Sequence, residues 1–148
     1  NLGRMGKMPG SVQEIHYINR DENTHLWLFR SMILELQKEE PHLFTEELIQ
    51  EYKDMLRHGV EEEIRWGEYV IGNNIEGLTM EMVSDYIHYL GNLRSNSLGF
   101  GSLYEGFESE PKSMEWVSMY ANANLIKTDF FEARSSAYAK SSALVDDL

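Results

Sequence analysis

The sequence predicts an all-α protein, a bundle of long helices joined by short connections. Three observations predict it. Apolar residues recur at three- and four-residue steps over long stretches, alternating strand patterns are missing, and the prolines Pro9, Pro41 and Pro111 all fall between the periodic segments.

The first helix is expected from about Val12 to Lys38, where Ile15, Ile18, Leu26, Phe29, Ile33 and Leu36 keep the helical period. The second is expected from Glu46 to Ile71. Thr45 suits its N-cap, and Glu46 and Glu47 suit the positive end of the helix dipole. Its stripe is Leu48, Tyr52, Met55, Leu56, Val60, Ile64 and Val70, and Gly72, Asn73 and Asn74 stop it. The third runs from Met80 to Leu98, capped by Thr79 and ended by Gly99, with Met82, Val83, Tyr86, Ile87, Leu90 and Leu98 on its buried side. Residues 100–112 read as a loop, and a shorter helix follows from Met114 to Ala121. The last stretch, EARSSAYAKSSALVDDL, is small and polar and reads as a tail. Short links favour antiparallel neighbours in a bundle.

Bulk properties narrow the function. With 148 residues the chain is one domain's worth, long enough for a core without staples. It has no cysteine, which excludes disulfides, thiolate metal sites and thiol chemistry by this chain, and suits a reducing cytoplasm. A net charge of −12 argues against nucleic acid and anionic lipid as partners. No apolar run approaches the roughly 20 residues that span a bilayer. The first residues, NLGRMGKMPG, are small and polar, unlike a signal peptide, and the chain opens on Asn1 without an initiator methionine.

Within the first helix, HYINRDENTHLWLF sets Glu22 and His25 on the apolar face. Positions three apart lie about 60° apart around a helix, and Ile15 and Phe29 sit seven residues to either side of Glu22. An unpaired carboxylate buried there would cost several kcal/mol, so it must be paired, protonated or bound to a cation. Two readings stay open: a hydrogen-bonded Glu–His pair, and the Glu-x-x-His ligand element of a carboxylate-bridged dinuclear site, whose donors suit iron and manganese.

The stretch GKMPG followed by IHYINRDENTHLWLF resembles the small, radical-generating subunit of class I ribonucleotide reductase, where a Met-Pro-Gly loop leads into a helix bearing Arg-Asp-Glu-x-x-His. Arg20, Asp21, Glu22 and His25 fit that pattern without a gap. EEEIRWGEYVIGNNIEGLTMEMVSDYIHYLGNLRSNSLGF resembles the next two helices of that family, and TDFFEAR the approach to its tail. The resemblance implies a ferritin-like helical bundle of which this chain, as the C-terminal half, supplies about half. Residues 1–134 would belong to the bundle and 135–148 to a flexible tail that docks on the large subunit.

The resemblance also implies roles. Glu22 and His25 would be metal ligands, Glu22 binding or bridging the pair and His25 binding the second ion. Asp21 would hydrogen-bond a ligand histidine and belong to the electron-transfer route, where an ion pair with Arg20 is the plainer reading. Ile18 would line the apolar pocket beside the metals. Tyr138 would relay the radical between subunits, and Leu144, Val145 and Leu148 would dock. The cofactor would be a dinuclear centre, di-iron or iron–manganese, the tail being most similar to the subgroup with iron–manganese sites. The partners would be the large subunit and, in a dimeric assembly, a chain supplying the N-terminal half. The other ligand set of the family is missing from this sequence, so a split gene or a cleaved precursor is expected. The competing functions are a ferritin-like di-metal oxidase or iron-storage protein, and a non-enzymatic helical interaction module. Glu61, Glu62 and Glu63 read as a solvated face, Trp27 and Trp66 as packing aromatics, and His16, His42, His58 and His88 as surface or structural residues.

Overall fold

A computed structural model describes residues 1–121, with side chains to residue 118. Helix α1 spans Pro9–Glu39, α2 Glu46–Val70, α3 Met80–Ser97 and α4 Glu115–Ala121, with single 3₁₀ turns at Pro41–Leu43 and Lys112–Met114. The four expected helices are present with ends within a few residues. Proline at the first position starts α1, where its missing N–H costs nothing, behind Met8 in the left-handed conformation. The Thr45 hydroxyl accepts from Leu48 N–H at 3.2 Å, and that of Thr79 from Met82 N–H at 3.3 Å. Helix α3 closes on Gly99 at φ 80°, where Gly99 N–H donates to Asn96 and Phe100 N–H to Ser95. That pairing needs a residue in the left-handed region, which glycine adopts without strain.

Helix α2 packs along α3, and this pair holds most of the core. Val60 and Gly67 are buried on α2, Gly91, Asn92 and Ser95 on α3. The close approach is made at Gly91, where an added Cβ would meet Val60 Cγ2 at 2.9 Å. The loop after α3 folds back and supplies Leu103 and Met114 to the same core. Asn92, 1 % exposed, grips that loop with one side chain. Its carbonyl oxygen accepts from Leu103 N–H at 2.7 Å and Tyr104 N–H at 3.0 Å, and its amide donates to the Tyr104 and Phe107 carbonyls, both at 2.9 Å. Ser95 Oγ donates to the Gly101 carbonyl at 2.6 Å. His88 is structural as expected: its ring stacks on Phe107, meets Tyr104 edge-on, and donates Nδ1–H to the Ser84 carbonyl at 2.8 Å.

Two expectations are corrected. Leu48, Met55 and Val70 are exposed rather than buried. On a helix they lie roughly 80–120° or more from Val60, so α2 carries a second apolar strip beside the one that meets α3. Trp27 and Trp66 do not pack into the core. Both are exposed, and Trp66 touches only the ring of Tyr69 among the aromatic contacts of the described residues, at 5.7 Å.

Helix α1 has no buried residue. The segment ahead of it lies near the α2–α3 turn, where Asn1 Nδ2 donates to the Glu76 carbonyl at 2.9 Å, and its Arg4 guanidinium lies over the Trp116 ring of α4. Its later turns meet the far end of α3. Arg30 Nε donates to the Ser97 carbonyl at 3.1 Å and Gln37 Nε2 to that of Leu98 at 3.0 Å. So α1 runs in the same sense as α3, and α2 runs back between them in sequence. An apolar groove of about 720 Å³ opens where α1 hands over to α2, lined by Ile33, Leu36, Leu48, Tyr52 and Phe100. No helix among the described residues is long and apolar enough to cross a membrane.

Candidate metal-ligand face

The three-residue spacing places Glu22 and His25 side by side on α1. His25 Nδ1 and Glu22 Oε2 are 3.5 Å apart. That separation is the outer limit of a hydrogen bond and a weak one. The two side chains are 62 % and 69 % exposed, so the apolar face that carries them is not covered within the described residues. The cause is the whole face, not the pair: Ile15 and Phe29 are exposed to 63 % and 61 %, and Ile18 and Met32 are exposed too. Ile15 shares a pocket with Trp116 and Val117 of α4, and beyond it no other described element covers this side of α1.

An apolar strip with a carboxylate and an imidazole at its centre therefore stands open. Single exposed apolar residues need no explanation, but a contiguous row along several turns marks an interaction surface. The donor set fits half a carboxylate–imidazole metal site. It does not close one: among the described residues no group of three or more His, Cys, Asp or Glu side chains could hold an ion. Further ligands would have to come from outside these residues.

Asp21 lies beside the face, with Oδ1 3.5 Å from Arg20 Nε and both groups well exposed. The structure thus shows the plain ion pair, and no bond from Asp21 to His25. Arg20 also lies over the ring of Tyr17, at 5.5 Å. Ile18 sits on the ligand face one turn before Glu22. Tyr138, Leu144, Val145 and Leu148, and the boundary at residue 134, lie outside the described residues. Glu61, Glu62 and Glu63 are solvated as expected. The sequence reading passed over Arg30 and Gln37, the two residues that tie α1 to α3. The available signal was a pair of long polar side chains seven residues apart beside the apolar stripe.

Comparison with known proteins bears on this face directly. Residues 1–111 match the family model of the ribonucleotide reductase small chain. The chain is 70 % identical over all 148 residues to the ribonucleoside-diphosphate reductase subunit beta of Treponema pallidum, covering 42 % of that protein. It is 39 % identical over 143 residues to the subunit beta of Halalkalibacterium halodurans, covering 97 % of this chain and 41 % of that one. The solved R2 subunit of ribonucleotide reductase from Clostridium botulinum superposes with a TM-score of 0.75 at 47 % identity, over 81 % of this chain and 37 % of that one. The chain thus spans about two fifths of the length of these relatives. The helical architecture is the ferritin-like one of these neighbours. With the motif, the fold and the matched residues in agreement, the chain belongs to the ribonucleotide reductase small-chain family.

Proposed function

We propose that the chain is part of the small subunit of a ribonucleoside-diphosphate reductase, an oxidoreductase that turns ribonucleotides into deoxyribonucleotides together with a large subunit. The observation that carries this reading is the Glu22–His25 pair on the open apolar face of α1, inside the segment that matches the small-chain family. The family implies a dinuclear metal site, and we take its metals to be di-iron or iron–manganese. When bound, such a centre supplies oxygen activation and a radical equivalent.

The chain's own residues have distinct tasks in this reading. Glu22 offers a carboxylate able to bind or bridge, and His25 offers an imidazole to the second ion. Asp21, next in sequence to Glu22, would exchange its Arg20 contact for a ligand histidine, fixing that ring's tautomer and basicity. Ile18 keeps water off the ligand face. Tyr138 carries the oxidising equivalent toward the large subunit, and Leu144, Val145 and Leu148 dock there, so residues 1–134 serve the bundle and 135–148 the tail. The uncovered strips of α1 and α2 support a reading in which further helices close over them, on a companion chain in a dimeric assembly. The lack of cysteine in this chain agrees with a reading in which the substrate-reducing thiols sit on the large subunit, in a reducing cytoplasm.

The test combines the assembled small subunit, a large subunit and a nucleoside diphosphate, and quantifies deoxynucleotide. Turnover is expected, and Tyr138→Phe should abolish it while leaving the metal content unchanged. Metal oxidation without deoxynucleotide would instead identify a ferritin-like oxidase or storage protein.

A further inference from the structure

We infer that Arg30 and Gln37 are positioning residues that set the rotation of the ligand helix, an inference that rests on reading Glu22 and His25 as metal ligands. Among the described residues helix α1 has no fully buried side chain, so packing constrains its rotation about its own axis only loosely. Its C-terminal half is tied to α3 by a pair of directional bonds. Arg30 Nε donates to Ser97 O at 3.1 Å and Gln37 Nε2 to Leu98 O at 3.0 Å. Both donors are half-buried.

The acceptors are carbonyls at the C-terminal end of α3, which lack partners within the helix. The guanidinium also meets the negative end of the α3 dipole. Arg30 and Gln37 are seven residues apart, so both project from nearly the same side of α1. At 100° per residue that side lies about 60–80° from Glu22 and about 120–140° from His25. Rotating α1 far enough to swing the ligands toward α3 would break both bonds. The clamp therefore holds the ligand pair pointed at the open face, where the rest of the site must form.

The test uses the assembled small subunit and Mn(II) as the probe. Apparent affinity by equilibrium dialysis, the EPR signal of bound Mn(II) and Tm are measured for Arg30→Met, Gln37→Met, the double variant, and Arg30→Lys. The double variant should lose affinity about tenfold or more, as disturbing the outer support of a metal site does, and alter the EPR signal. Arg30→Lys, which keeps a donor, should retain most of the affinity. Val60→Ala lowers Tm through the α2–α3 core and should keep parent affinity, which separates positioning from general stability. Gln37→Glu, which sets a carboxylate against the Leu98 carbonyl, gives a second reading with little change of size if the double variant does not fold.

Parent affinity and EPR signal in the double variant would overturn the clamp. An equal affinity loss in Val60→Ala at equal Tm would overturn it too. If Glu22→Ala left Mn(II) binding intact, the ligand reading itself would fall. Loss with Glu22→Ala but none in the clamp variants would overturn only the positioning role.

Discussion

Asn92 shows how one side chain can organise a loop. Its amide group satisfies two backbone N–H groups and two carbonyls of residues 103–107, from a position buried to 1 % exposure. Truncation would leave those groups without partners in a dry site, and each orphaned group costs about 1–3 kcal/mol. Asn92→Ala should therefore lower unfolding stability by about 2–4 kcal/mol in a urea titration, with some groups rescued by water. The phenols of Tyr52, Tyr86 and Tyr104 are pushed up, first by burial; nearby Glu110 adds to this for Tyr86 and Glu61 for Tyr104. A raised folded value means that the native state holds these protons more tightly than the unfolded chain. Their contribution is full below the ordinary phenol value of about 10 and is lost as pH rises through the higher folded values. Tm should thus fall more steeply above pH of about 10 than in a variant with these tyrosines changed to phenylalanine.

Two glycines make opposite predictions for the elements that carry them. Gly91 lies in the α2–α3 seam, where a Cβ would meet Val60 Cγ2 at 2.9 Å. Gly91→Ala should push α2 off α3 and cost about 1–3 kcal/mol as overpacking does. Gly59 has open space around its Cβ position. Gly59→Ala should stabilise α2 by about 0.5–1 kcal/mol through backbone entropy alone. Paired thermal melts of the two variants check both signs. The helices themselves were legible because their signals are local: the apolar periodicity, the Thr45 and Thr79 caps, Gly99 past a last turn. The seam was not. Asn92 and Ser95 carry no local signal of burial, since their partners lie 6–15 residues further on. Apolar Met55 and Val70 looked like core because periodicity finds an apolar strip without saying what covers it.

At the scale of the molecule, the α2–α3 pair and its loop form a packed unit, and α1 lies along it with one side open. That open side holds Glu22 and His25. The sequence made Glu22 and His25 legible as a pair through spacing, and their 3.5 Å approach agrees. Their degree of exposure depends on what covers the face, and no described element beyond the start of α1 does so. The same reasoning explains the open strip on α2 and the groove beside it. The central claim is that Glu22 and His25 are half of a dinuclear metal site. The most direct test is elemental analysis of the assembled small subunit, parent against the Glu22→Ala, His25→Ala double variant. The account predicts two metal ions per chain in the parent and their loss in the variant with helicity retained. A variant that kept both ions would contradict it.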